Sequence, residues 1–150
     1  MKNLFEASRV DEVKERIARL TSQSRREWGT MSVAQTLKHC SIGMDTATGV
    51  ARPPRVLIGR ILGPVIKPLA FKNDDPMKRN SPTAPIFIVK DEPDFEAEQA
   101  RLLNSIDKFA AAGPAGCTTH PHAFFGRLKP DEWAILMYKH VDHHLRQFGA

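Results

Sequence analysis

Residues 130–148 read PDEWAILMYKHVDHHLRQF, and the order of residue types in this stretch decides the fold class. Pro130 followed by Asp131 and Glu132 is a helix start. The missing proline N–H is one that a first turn leaves unpaired anyway, and carboxylates favour the positive end of a helix dipole. From there Trp133, Met137, His140 and His144 recur at intervals of four, three and four. With 3.6 residues per turn, these four share one face. A face that opens with a tryptophan and a methionine points into a core, and the two histidines continue it. The stretch is a long helix packed on other helices, with two imidazoles aimed inward.

Working back along the chain, three more long helices are expected. Residues 9–27 carry Val10, Val13, Ile17 and Leu20 at helical spacing, with Ser8 as a cap. Ser32 and Gln35 have the spacing of a capping box, opening a helix to about Val50. One lane of this helix is Val33, Leu37, Cys40, Met44 and Ala47. A less pure one holds Met31, Ile42, Thr46 and Val50, with Gln35 and His39 beside it. Asp91-Glu92-Pro93-Asp94 starts the next helix, about 93–111, which buries Phe95, Leu102, Ile106 and Phe109 before Gly113-Pro114-Ala115-Gly116 stops it. Between the second and third long helices, residues 55–71 read as a short kinked helix packed on the others. Residues 72–90 read as a long ordered connection, with Ile86-Phe87-Ile88-Val89 as extended chain over the core. The expected architecture is an all-α four-helix bundle whose long crossover connection carries a short extra helix.

Composition narrows the function classes. The chain has 150 residues, 41% hydrophobic and 26% charged, which is globular composition and the size of one domain. Its net charge of +5 is local. Residues 51–90 hold eight basic groups against Asp74 and Asp75, a balance of +6, which leaves −1 elsewhere. A uniformly basic nucleic-acid coat is excluded, and nucleic acid is not an expected partner. Residues 55–71 are too short and too interrupted by glycine, proline and charge to span a bilayer; an interfacial membrane helix is the minor alternative to packing on the bundle, and a membrane is not an expected partner. Two cysteines, Cys40 and Cys117, make no disulfide framework, so a reducing compartment is the default. The residues MKNLFEASRV lack the apolar centre of a signal peptide. A soluble, cytoplasmic, single-domain protein is the expectation.

Chemistry concentrates in the histidines. His140 and His144 are four apart, with Cβ atoms about 5–6 Å from each other, so one metal ion can be bound by both. Two unpaired imidazoles in a core would be costly, and a shared metal or firm hydrogen-bond partners would remove that cost. A polar network with Asp142 and Gln147 is the plainer alternative. Neither histidine opens an H-E-x-x-H motif, so zinc-protease chemistry finds no support. His143 lies about 100° around the helix from His144, placed for the surface or for supporting a ligand. His39 is either a partly exposed helix histidine or a third inward group; spacing leaves both open. Cys40 points away from it, as a buried structural thiol.

The segment Trp28-Gly29-Thr30-Met31-Ser32 leading to His39, the run Phe124-Phe125-Gly126-Arg127-Leu128 before Glu132-Trp133, and His140-x3-His144 with Gln147 together resemble the DinB/YfiT-like superfamily of metal-binding four-helix bundles. The similarity spans nearly the whole chain as a single domain, residues 1–150, and is nearest to an uncharacterised branch ending in a pattern read here from Tyr138 to Gly149. The resemblance implies a triad of His39, His140 and His144 with an open coordination position. One departure is visible. Much of the superfamily follows the last ligand with Arg-Gly-Gln, whereas this chain has Leu145-Arg146-Gln147, so a substrate contact by that arginine does not carry over. His122, His143, Arg146 and Gln147 are candidate supports of the ligands or contacts to substrate.

The resemblance also implies a divalent metal, zinc or nickel first, and a metal-dependent enzyme. One such activity is a transferase joining a low-molecular-weight thiol to a small electrophile. The alternative is a non-catalytic, stress-related binding or oligomerising bundle that keeps the metal site. A homodimer stays open. The basic segment 51–90 comes directly after the His39 helix, and would favour anionic small molecules, carboxylate-bearing thiols among them.

Overall fold

The computed structural model describes residues 1–150 and is all-helical: five α-helices, two short 3₁₀ turns and no strands. The helices are α1 (Ala7–Arg19), α2 (Val33–Thr48), α3 (Leu57–Ala70), α4 (Phe95–Ala112) and α5 (Pro130–Gln147). Four of them share one core. α1 and α2 each pack against both α4 and α5, so the contacts close into a ring. Inside it lie Val13 and Ile17 from α1, Leu37, Cys40 and Met44 from α2, Leu102, Ile106 and Phe109 from α4, and Trp133, Met137 and Val141 from α5. The main apolar lanes expected for these helices are the buried ones, but Phe95 of α4 and Met31 and Ile42 of the second α2 lane are only half-buried.

Each helix begins where its chemistry allows. On α2 the Ser32 hydroxyl accepts from the Gln35 N–H, and the Gln35 side chain accepts from the Ser32 N–H, a complete capping box. α4 is capped by Asp94, whose carboxylate accepts from the Ala97 N–H at 2.8 Å; Pro93 precedes this cap and lies outside the helix. α1 departs from expectation at both ends. It starts at Ala7 without a side-chain cap, so Ser8 lies inside the first turn, and it ends at Arg19, with Leu20 already extended. Residues 21–27 are polar and basic, with no apolar lane to bury. α2 likewise stops two residues early, because Gly49 takes the left-handed conformation (φ +80°). Val50 therefore falls beyond the helix and is 79% exposed.

The connection between α2 and α4 differs most. α3 packs on none of the other helices through an apolar face. Its buried residues are Gly59 and Gly63, pressed against the backbone of Phe124. A Cβ on Gly59 would come within 2.6 Å of the Phe124 Cα, so only glycine permits this approach. After α3, Pro85–Phe87 forms a 3₁₀ turn rather than extended chain, and Val89 alone of residues 86–89 is buried. No helix is long and apolar enough to cross a membrane.

Candidate metal centre

α2 and α5 bring three histidines together. His39 projects from mid-α2 and is buried; His140 and His144 project from successive turns of α5, with only part of their surface open. Their rings pack mutually edge to face, each pair of centroids 4.9 Å apart. One ring nitrogen from each lies within 4.8 Å of the other two, and the His39 and His140 Nε2 atoms are 2.9 Å apart.

The surrounding hydrogen bonds settle which nitrogens face inward. His39 Nδ1 lies 2.9 Å from the Phe87 carbonyl oxygen. A carbonyl only accepts, so Nδ1 carries the proton and Nε2 keeps its lone pair. The same logic runs through two bonds at His144. The Gln147 amide nitrogen donates to the Trp28 carbonyl at 2.9 Å, which turns its Oε1 to His144 Nδ1, also at 2.9 Å. His144 Nδ1 is thus the donor and its Nε2 is free. Histidines that bind metals are oriented in this way, with the outer nitrogen donating to a carbonyl or carboxylate.

Electrostatics keep these rings neutral. Burial lowers His39, with the Phe87 bond working against it. Burial pushes His140 well below the ordinary histidine range, aided by the neighbouring imidazoles. Burial and then His39 bring His144 down to about 3. Neutral imidazole is the form that binds metals. Donors on a tetrahedral zinc ion, at about 2.0–2.1 Å each, would be about 3.4 Å apart. That separation falls between the 2.9 Å pair and the 4.8 Å outer limit seen here, so the donor set fits a divalent ion. Beside His144, Leu37, Cys40, Val141 and Leu145 form an apolar wall that also holds Thr36, whose buried hydroxyl is unpartnered.

The remaining candidates take different places. Gln147 bonds the triad directly, through His144. His122 Nδ1 accepts from the N–H groups of Phe124 and Phe125, each at 3.1 Å, while its ring lies on Phe125 and meets the edge of Trp133. Burial and the Arg55 charge lower it to about 4. His143 packs against His144 and the Trp28 ring. Arg146 turns away from the triad, its Nε donating at 2.8 Å to Asp142, which Arg16 of α1 also holds at 2.7 Å. Neither cysteine is poised as a thiolate: Cys40 is buried with its thiol pushed far up, and burial raises Cys117 to about 11.

Three contributors are not apparent from the sequence: the carbonyls of Phe87 and Trp28, and Gly43. A main-chain carbonyl has no residue-type signature. Gly43 did leave a signal. It sits four residues after His39 on the same side of α2, where glycine is about 1 kcal/mol worse than alanine in a helix interior. A Cβ there would meet His140 Nδ1 at 2.9 Å. Its absence lets the His140 ring lie against α2.

Fold and site together define a helical protein in which three histidines lie close together, compatible with a metal centre. The chain belongs to the DUF1569 family, described as proteins of unknown function, whose model matches residues 2–150. No curated protein and no solved structure matches it.

Proposed function

We propose that this chain is a single-domain, DinB-like four-helix bundle that binds one divalent ion through His39, His140 and His144, and that it uses the ion as a metal-dependent transferase. The observation that carries the reading is the pair of pinned outer nitrogens. His39 and His144 each donate outward from Nδ1 to a carbonyl oxygen, which keeps their Nε2 lone pairs for a metal, and the donor atoms of all three rings lie within 4.8 Å of one another. The closed ring of α1, α2, α4 and α5, with the long link between α2 and α4, supports the bundle.

When bound, a divalent ion supplies a Lewis acid that lowers the pKa of a water or thiol beside it. The protein's part is to hold the three imidazoles neutral and oriented. Three protein ligands leave a tetrahedral ion one position for an exchangeable group, the pattern of catalytic sites. Burial raises the pKa of both thiols, Cys40 and Cys117, so a thiol-dependent reaction at this site would draw its nucleophile from a small molecule.

The test is metal analysis of the purified protein, then a turnover screen. We expect about one zinc or nickel ion per chain, lost in His140→Ala and His39→Ala. With metal present, glutathione, bacillithiol or mycothiol should react with a generic electrophile faster than without protein. A chain that takes up no stoichiometric divalent ion would refute the site. Uptake without turnover would identify a non-catalytic bundle that keeps its metal.

A further inference from the structure

α3 presents its apolar side to solvent. Gly59 and Gly63 take up the face that packs on Phe124. At about 100° per residue, Leu57, Ile58, Ile61, Val65 and Leu69 turn away from that face, and Leu62 lies on its flank. Leu57, Ile61, Val65 and Leu69 are 74%, 67%, 67% and 65% exposed, and Ile58 and Leu62 are also open. A continuous aliphatic strip along a 14-residue helix is not ordinary surface; such patches mark interaction sites.

Two occupants are conceivable, and charge and size separate them. Arg60 is exposed within α3, Arg52 is exposed ahead of it, and Lys72 is exposed just beyond its end. They belong to residues 51–90, whose balance is +6. A second copy docked face to face would bring the Arg52, Arg60 and Lys72 of each chain together, and it would do so through six side chains, where a stable interface uses about 20–30 residues a side. An anionic surface meets both conditions: it neutralises the cations and takes up a strip of aliphatic side chains without needing a complementary shape. α3 is also too short to span a bilayer, which leaves it lying in the plane of the surface.

We propose that α3 is an interfacial docking helix that seats the protein on an anionic lipid surface, with Leu57, Ile61, Val65 and Leu69 entering the headgroup boundary and Arg52, Arg60 and Lys72 at the phosphates. From sequence, packing on the bundle comes first for this segment and an interfacial helix second; the proposal takes the second. It rests on the orientation of α3, which helical periodicity alone did not supply. Lys67 does not join the cations at the surface, because it pairs with Glu132 at 2.8 Å.

The full chain should float with vesicles of phosphatidylcholine mixed with phosphatidylglycerol, and less with phosphatidylcholine alone. Ile61→Asp/Val65→Asp should lower the affinity about tenfold or more, since each side chain is already exposed in the free protein and is lost from the apolar contact. Arg60→Glu, which leaves the apolar strip intact, should lower it by at least about fivefold and weaken its salt dependence. Circular dichroism checks that both variants keep their helices, and Leu57→Asp replaces the double variant if that one unfolds. Equal flotation of variant and parent, or equal binding to neutral and anionic vesicles, would overturn the proposal. So would a sedimentation dimer abolished by Ile61→Asp/Val65→Asp, which would assign the strip to a second copy.

Discussion

His140 sits against a residue that has no side chain. Gly43 leaves a space on α2 into which the imidazole fits, with Nδ1 only 2.9 Å from where a Cβ would be. Gly43→Ala sets two effects against each other. Helix propensity favours alanine by about 1 kcal/mol, while the added methyl pushes the ring from its place. We expect the metal-free protein to be as stable as the parent or more so, with zinc affinity down by about 10–100-fold, the range seen when the supports of a ligand are lost. Titration calorimetry with zinc reads this directly; unchanged affinity would show that the space has no bearing on His140. Gln147→Leu tests the other support. It removes the acceptor of the His144 proton and the donor to Trp28, and should weaken zinc binding by a similar factor. At this scale the triad was legible only with the family likeness beside the spacing. Four-residue spacing paired His140 with His144, but His39 is 101 positions from His140, and no local rule links them.

At the scale of elements, start signals were read more reliably than stops. Ser32 with Gln35 caps α2 as its spacing predicts, because a cap is a local hydrogen bond between neighbours in sequence; at α4 the expected start, Pro93, lies two residues early, and Asp94 is the cap. Asp94→Ala should destabilise the protein by about 1 kcal/mol, lowering Tm by about 2–4 °C while leaving metal uptake intact. A loss of metal in this variant would mean that the α4 terminus and the triad are coupled. Where α1 and α2 end was misjudged for two reasons. The apolar lane of α1 runs out at Leu20 and the polar residues beyond it have nothing to pack on. On α2 the left-handed Gly49 ends the helix before Val50, although Val50 keeps the period. α3 is the instructive case. Its apolar residues suggested packing on its neighbours, yet two glycines won the contact because they let backbones meet, and the larger side chains were left outside.

At the scale of the whole molecule, the buried imidazoles make stability depend on pH. His122 is held to about 4 and His144 to about 3, against about 6.5 in an unfolded chain. Between these values the unfolded chain binds more protons than the folded one, so stability rises with pH there. Their contribution is complete above about pH 6.5 and is lost as pH falls towards about 4 and then about 3. In metal-free protein the urea midpoint should fall from about pH 7 to about pH 5; a midpoint that rose would contradict the burial of these rings. Metal acts in the opposite sense to acid. At a hundred times its Kd, zinc should add about 2.7 kcal/mol, raising Tm by on the order of 5–10 °C, and a chelator should remove the gain. His144→Ala should abolish the zinc-dependent rise.

The helical class, the four core-facing lanes, the Ser32–Gln35 cap and the inward aim of His140 and His144 were already in the sequence. Each follows from periodicity or from hydrogen bonds between residues a few positions apart, and such interactions are encoded by local order. Three things came only from the tertiary structure: the meeting of His39 with His140 and His144, the carbonyls of Phe87 and Trp28 that orient the rings, and the outward turn of α3. All three depend on which distant segments touch. Backbone carbonyls are the same for every residue type, and a glycine shows what approaches it only after the approaching chain is in place.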